Sequence, residues 1–154
     1  MKRIDNLSTN ANHIYVDTNV IVGAYYYELT KKKSYLRHNK CLEFLYKLRG
    51  KKLYISSLTV AQFVSVFQKH FPSEVVKKTV NKFIAKFTIV GFSDKDIKEC
   101  LEYKNPDLED VIQYVISQKF KCRHIVTNNV KDFIDEDFLA INIINIDNYR
   151  SLNQ

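Results

Sequence analysis

The stretch Tyr15-Val16-Asp17-Thr18-Asn19-Val20 places a carboxylate where an apolar segment ends and a helical pattern begins. Residues 13–16 are β-prone and largely apolar, and the polar break at Asp17 indicates the end of a buried strand. A carboxylate in that position is costly unless it is paired, hydrogen-bonded or bound to a metal. Helix capping by Asp17 is the plain alternative, and the stretch alone leaves both interpretations open.

The same succession of a short apolar run and a helical pattern recurs along the chain. Further strands are predicted over residues 52–56, 87–92, 124–127 and 141–146. Ser57 or Thr59 is the predicted cap of the helix after the second strand, and Gly50 ends the helix before it. Strands that alternate with helices imply a mostly parallel sheet, which binds ligands at the carboxyl ends of its strands. We therefore expect a single α/β domain over residues 1–154.

Composition narrows the class of protein. The chain has 154 residues, of which 45% are hydrophobic, so it has enough apolar residues for a core and is not disordered. No apolar run approaches the roughly 20 residues of a membrane span, and the N-terminus lacks a secretory signal, which predicts no membrane association and a cytoplasmic location. The net charge of +7 favours an anionic partner such as nucleic acid, although an acidic protein would be attracted equally.

Two later stretches are also rich in polar side chains. Asp107-Leu108-Glu109-Asp110 opens a predicted helix, and Asp107 and Asp110, three residues apart, lie on one face of it. The helix dipole favours acids in a first turn, yet it does not require three within four residues, and a divalent cation would offset their repulsion. Thr127-Asn128-Asn129-Val130-Lys131-Asp132-Phe133 follows the fourth predicted strand.

In this order along an alternating α/β pattern, the three stretches resemble the PIN-domain family. These proteins are small magnesium- or manganese-dependent ribonucleases, and they include the VapC-like toxins of bacterial toxin–antitoxin pairs. The resemblance covers nearly the whole chain and implies a three-layer fold with a mostly parallel central sheet of four to five strands flanked by helices. It implies a divalent-metal-dependent endoribonuclease and type II toxin, with RNA as substrate, an antitoxin as partner and a homodimeric state.

The resemblance also implies roles for individual residues. Asp17 and Asp110 would bind Mg²⁺ or Mn²⁺, and Asp107 and Asp132 would join them as catalytic residues. The supporting residues would be Thr18, Asn19, Gln62, Glu109, Thr127 and Asn129. When bound, the metal would lower the pKa of a water that attacks the phosphodiester.

Gln62 and Asn129 depart from the family's pattern, because the family usually has a glutamate at the first position and often has an acid at the second. An amide oxygen can coordinate Mg²⁺ but supplies no negative charge. The alternative is therefore a catalytically decayed module that binds RNA or a protein partner without cutting. A further alternative is an unrelated α/β domain whose acids only cap helices.

Basic and aromatic runs follow the first stretch. We expect Lys31, Lys32, Lys33 and Arg37 to lie near the mouth of the site and to bind the RNA backbone, the alternative being a solvated face. In Tyr25-Tyr26-Tyr27 the first ring fits a buried helix face. One or two of the others are expected at an interface with RNA bases or, preferably, with a partner protein.

Overall fold

The computed structural model describes residues 9–32, 38–133, 138 and 141–153. Within these residues the strands are β1 (Asn10–Val16), β2 (Lys52–Ser56), β3 (Thr88–Val90), β4 (Cys122–Thr127) and β5 (Asn142–Asn145). The helices are α1 (Thr18–Thr30), α2 (His38–Lys47), α3 (Ser57–Phe67), α4 (Ser73–Ile84), α5 (Asp94–Cys100) and α6 (Leu108–Lys119). Short 3-10 helices cover Val130–Phe133 and Ile146–Asn153.

The strands form one sheet in the order β3-β2-β1-β4-β5, and all neighbouring strands are parallel. The predicted strands and the parallel sheet are thus confirmed. β1 is the central strand, with Tyr15 opposite Tyr54 of β2 and Ile125 of β4. Because β1 has a partner on each side, Asp17 lies at the middle of the sheet's carboxyl edge.

Helices cover both faces of the sheet, which gives the three layers. Successive side chains of a strand point to opposite faces. Ile14 and Val16 pack into a buried cluster with α1 and α3, whereas Tyr15 packs into a second cluster with α6. Both faces of β1 are therefore enclosed, which explains its continuous apolar run.

The first turn of α3 differs from the sequence prediction. Ser56, the last residue of β2, is the N-cap, and its Oγ accepts a hydrogen bond from the Thr59 backbone N–H. Ser57 and Thr59, the predicted caps, lie inside the helix. The reason is that β2 passes into α3 without an intervening loop residue, so the strand's final serine already occupies the capping position.

Gly50 offers a test of the connection between α2 and β2. Its φ of +70° lies in the left-handed region, and an added Cβ would meet no atom within 4 Å. We expect Gly50→Ala to cost about 1 kcal/mol of unfolding free energy through backbone strain alone. Thermal unfolding should show a fall of a few degrees in Tm. Gly91→Ala is the matched control, because Gly91 has equal space and no positive φ; equal losses in the two variants would contradict the strain argument.

The helices and the cysteines of the described residues bear on the class of protein. None of the described helices is both long enough and apolar enough to cross a membrane. Cys41, Cys100 and Cys122 are buried free thiols.

Candidate active site

Asp17 lies between β1 and α1, and its side chain is only 6% exposed. It occupies the N-cap position of α1 but makes no side-chain capping hydrogen bond. Instead, its Oδ2 accepts a hydrogen bond of 2.8 Å from Oγ1 of Thr127, at the end of β4. Helix capping therefore does not explain this buried carboxylate.

Asp107 and Asp110 lie at the start of α6. Asp107 is the N-cap, and its Oδ1 accepts hydrogen bonds from the backbone N–H groups of Glu109 and Asp110. The capping interpretation is thus correct for Asp107. Both capping hydrogen bonds go to Oδ1, and Oδ2 accepts neither of them. The Asp110 side chain makes no such bond and is half-buried.

The three acidic or polar stretches meet at one cleft of about 690 Å³. Its acidic end is lined by Asp17, Asp107, Glu109, Asp110 and Asp132, and by Thr18, Asn19, Gln62 and Gln113. Its other end, between α1 and α3, is lined by Val22, Tyr26, Ser65, Val66 and His70. All four predicted catalytic carboxylates therefore share this cleft.

The remaining supporting residues lie just behind the acidic end. The Asn129 backbone N–H donates to Thr127 Oγ1 at 3.0 Å, and Asn19 Nδ2 lies 3.4 Å from the same oxygen. The Asn128 backbone N–H donates to Asn19 Oδ1 at 3.2 Å. This network holds Thr127, and through it Asp17, in one position. Within the described part of the chain, Asn129 contributes to this network through its backbone N–H.

Burial and neighbouring negative charge raise the pKa values of Asp17 and Asp110. Burial raises the pKa of Asp17, and the charge of Asp132 adds to this, against hydrogen bonds from Thr127, from the Thr18 backbone and from Gln113. Burial, followed by the charges of Asp107, Asp17 and Asp132, raises the pKa of Asp110 to about 8. No lysine or arginine is among the described residues that line the cleft. The repulsion between the carboxylates is therefore not offset within this part of the chain.

Gln62, at the position where the resemblance would place an acid, links three helices. Its Oε1 accepts a 2.6 Å hydrogen bond from Thr18 Oγ1, and its Nε2 donates a 2.8 Å hydrogen bond to Glu109 Oε2. The amide brings no charge of its own. It does hold the Glu109 carboxylate at the rim of the cleft. An acid from α6 therefore lies beside Gln62, the position on α3 where the resemblance would place an acid.

Gln113 is a site residue that sequence reasoning missed. It lines the cleft, it is 3% exposed, and its Oε1 is buried without a hydrogen-bond partner among the described residues. It follows Asp110 by three residues and so shares its helix face. A glutamine at a core position of an amphipathic helix was the available signal, because a buried amide needs a partner.

The donor set is compatible with a hydrated divalent cation. Within the described residues no three acidic, histidine or cysteine side chains converge closely enough to enclose a metal ion. Magnesium, however, is commonly bound through one or two carboxylates and keeps several waters. Asp17 and Asp110 supply hard oxygen donors in a cleft with uncompensated negative charge, which fits such an ion.

Lys31 and Lys32, two of the predicted RNA-binding residues, follow the end of α1. Lys31 follows α1 in a left-handed conformation, with its Nζ 5.6 Å from the centre of the Tyr27 ring. α1 has 13 residues, which separates Lys31 and Lys32 from Asp17 by about 20 Å. Neither lysine is among the residues that line the cleft, and their role in binding RNA stays a prediction. Lys33 and Arg37 lie outside the described residues.

The first two of the three consecutive tyrosines have different environments. Tyr25 is buried against Phe63 and Phe83, as predicted. Tyr26 lines the cleft and packs edge-on against His70 and Phe71. An interface role for Tyr26 or Tyr27 stays a prediction.

A five-stranded parallel sheet between helical layers, with acids gathered at the carboxyl edge of its central strands, defines the class of this protein. Solved structures with the same fold are VapC toxins and toxin–antitoxin complexes, so the chain has the PIN-like fold of the VapC proteins. A complex of VapBC2 from Rickettsia felis with a promoter DNA fragment aligns with TM-score 0.58 and 21% identity, over 86% of this chain and 98% of that one.

Two other structures give similar values. A toxin–antitoxin complex from Klebsiella pneumoniae aligns with TM-score 0.59 and 20% identity, over 86% of this chain and 97% of that one. VapC20 of Mycobacterium tuberculosis, described as a sarcin-ricin loop cleaving toxin, aligns with TM-score 0.58 and 10% identity, over 82% and 93%. No family model and no curated protein sequence matches the chain.

Proposed function

We propose that the protein is a divalent-metal-dependent endoribonuclease that hydrolyses RNA phosphodiester bonds. The observation that carries the proposal is the pair of carboxylates, Asp17 and Asp110, whose pKa values are raised in one cleft that no lysine or arginine lines among the described residues. Like charges held together without a counter-ion suit a bound cation. Mg²⁺ or Mn²⁺ is the proposed ion.

The similar structures support the biological part of the proposal. One of these proteins is described as cleaving the sarcin-ricin loop, and two are toxin–antitoxin complexes. We therefore propose that this chain is the toxin of a type II pair, acts in the cytoplasm as a homodimer and is bound by a protein antitoxin.

Several residues in and behind the cleft have a part in the proposed hydrolysis. Asp17 and Asp110 would hold the ion, and Thr127 orients Asp17 through its hydrogen bond. When bound, the metal supplies a lowered pKa for a bound water and positive charge beside the phosphate oxygens. Glu109 is exposed, and Gln62 holds its Oε2, which leaves Oε1 to accept the proton of the attacking water.

Metal removal and replacement test the proposal directly. The purified protein should cleave a structured RNA with Mn²⁺ or Mg²⁺, lose the activity in EDTA and regain it when Mn²⁺ is restored. Asp110→Asn, prepared identically, controls for contaminating ribonuclease and should lose at least about 100-fold in rate. Activity that persists in EDTA, or equally in the variant, would show that this cleft is not the nuclease.

A binding module without nuclease activity is the second candidate, and Gln62 is the observation that favours it. We expect Gln62→Glu to place two carboxylates at the present 2.8 Å contact with Glu109, which lowers metal-free stability. The same change should raise Mn²⁺ affinity about tenfold, because it adds a charged oxygen donor. Calorimetry and thermal unfolding measure the two effects.

Gln68→Glu is the matched control, because it makes the same change at the exposed end of α3, outside the residues that line the cleft. If the parent is inactive and only Gln62→Glu cleaves RNA, the decayed module is correct. If the parent already cleaves RNA, the Glu109 carboxylate compensates for the missing acid at position 62.

A further inference from the structure

The opposite edge of the sheet carries the opposite charge. β2, β1 and β4 are neighbours, and four cations lie where β2 and β4 begin, here called the basic edge: Lys51, Lys52, Lys121 and Arg123. β1 rises from this edge to Asp17 over seven residues, a distance of about 20 Å. The basic edge is therefore distinct from the acidic cleft.

Contacts with β1 bring these cations together. Lys51 Nζ donates to Asn12 Oδ1 at 3.3 Å, and Arg123 Nε donates to Thr9 Oγ1 at 3.1 Å. The Asn10 backbone N–H donates to the Lys121 carbonyl at 2.8 Å. Lys51 and Arg123 thus flank the start of β1 from its two sides, two strand spacings or about 10 Å apart.

The cations of the basic edge differ from several others on the described surface, which form ion pairs. Lys40 pairs with Asp147, Lys47 and Arg150 share Glu43, Lys82 pairs with Glu28, and Lys119 pairs with Asp96. None of the four cations of the basic edge forms an ion pair within the described residues. Lys52 instead places its Nζ 5.2 Å from the centre of the Tyr54 ring.

The field of these cations acts on a neighbouring histidine. Burial lowers the pKa of His124, and the positive charges of Arg123 and Lys51 lower it further. His124 follows Arg123 in β4 and lies opposite Ile14 of β1. The like charges are therefore close enough to repel one another, and a polyanion would offset that repulsion.

The acidic cleft alone cannot attract RNA, because five carboxylates and no described lysine or arginine line it. The net charge of the chain is +7, so cations outside these lining residues supply electrostatic affinity for phosphates. Among the described residues, the basic edge is the group of unpaired cations that neighbouring strands hold in a fixed array.

We infer that the basic edge binds the phosphate backbone of a nucleic acid. The identification of the polyanion as RNA rests on the proposed function. The observation that these cations are unpaired within the described residues is independent of it. Binding at this edge fixes the backbone and reads no bases.

The test measures RNA affinity in EDTA, so that cleavage does not interfere. The probe is a fluorescein-labelled oligouridylate of about 20 nucleotides, and anisotropy is followed over about 0.05–0.3 M salt. The basic-edge triple variant is Lys51→Glu, Lys121→Glu and Arg123→Glu. It should bind at least about tenfold more weakly, and the slope of log K against log salt should fall by about 2.

The matched control is Lys69→Glu, Lys77→Glu and Lys78→Glu, which reverses three exposed and unpaired charges near and on α4. It should lose no more than about threefold, through the change in net charge. A second basic-edge triple with glutamine at the same three positions avoids new acids, in case the reversed variant does not fold.

Labelled polyglutamate, measured in the same way, is the second probe. Three outcomes would overturn the inference. They are equal losses of RNA affinity in the two charge-reversal triples, unchanged RNA binding by both basic-edge triples, or a loss of polyglutamate binding without a loss of RNA binding, which would indicate an acidic protein partner. Failure of the proposed function gives a different result, namely no metal-dependent cleavage by the parent, while the basic-edge triples still lose RNA affinity.

Discussion

Replacing Asp17 with asparagine is expected to weaken Mn²⁺ binding at least about 100-fold, because loss of a residue that only supports a metal ligand already costs 10–100-fold. The fold should survive, since an asparagine oxygen can accept the hydrogen bond from Thr127 Oγ1 that Oδ2 of Asp17 now accepts. Isothermal calorimetry with Mn²⁺ measures the affinity, and circular dichroism checks the fold.

The same substitution should raise the stability of the metal-free protein. Asp17 is 6% exposed, and burial raises its pKa, so its charged form is unfavourable in the folded state. A neutral amide avoids this cost, and we expect an increase of a few degrees in Tm at pH 8. Asp94→Asn, at an exposed position of α5, is the control and should change neither affinity nor Tm. Retention of Mn²⁺ affinity by Asp17→Asn would remove Asp17 from the metal site.

The stability of the metal-free protein is expected to fall as the pH rises towards about 8. The pKa of Asp110 is raised from 3.8 to about 8, mainly by burial and then by the charges of Asp107, Asp17 and Asp132. Between these values the folded state binds more protons than the unfolded state, so stability decreases with increasing pH. Below about pH 4 both states are protonated, and above about pH 8 both are ionised.

Asp110→Asn should flatten this pH dependence. Asp110 is half-buried, and solvent screening reduces the effect, so we expect a gain of about 1–2 kcal/mol at pH 8 and little change at pH 4. Thermal unfolding in EDTA between pH 4 and pH 9 provides the measurement. The parent and Asp94→Asn should show the same slope, and a parent without any slope in this range would contradict the raised pKa.

Metal binding is linked to the same proton. A cation that binds Asp110 must displace the proton, so Mn²⁺ affinity should increase with pH and level off above about pH 8. Because four carboxylates interact, the transition belongs to the cluster as a whole. Calorimetry in buffers with different ionisation enthalpies gives the number of protons released, which should approach zero above pH 8.

The fold was largely predictable because its signals are local. An apolar run broken by a polar residue located the end of β1 at Asp17, and the alternation of strands and helices indicated a parallel sheet. Asp110 was found because three acids in one helical turn are unusual. These features depend on neighbours in the sequence, and the structure brings them to one cleft.

Other features depend on elements that are distant in sequence. The Gln62–Glu109 hydrogen bond joins residues of α3 and α6, and the sequence pattern of neither helix predicts it. The helical spacing could have marked Gln113 as a polar residue at a core position, but its place in the cleft follows only from how α6 packs. The distance between Lys31 and Asp17 follows from the length of α1, and the lysines of the following loop give no information about that length.

The central position of β1 gives the parts of the cleft unequal protection against local opening. The backbone N–H of Asp17 donates to Val126 at the middle of the sheet, whereas that of Asp132 donates to Asn129 in a short 3-10 turn. Amide hydrogen exchange should therefore be slow at Asp17 and fast at Asp132. Thermal fluctuation would then disassemble the acidic cluster from its Asp132 side, while Asp17 keeps its place until the whole domain unfolds.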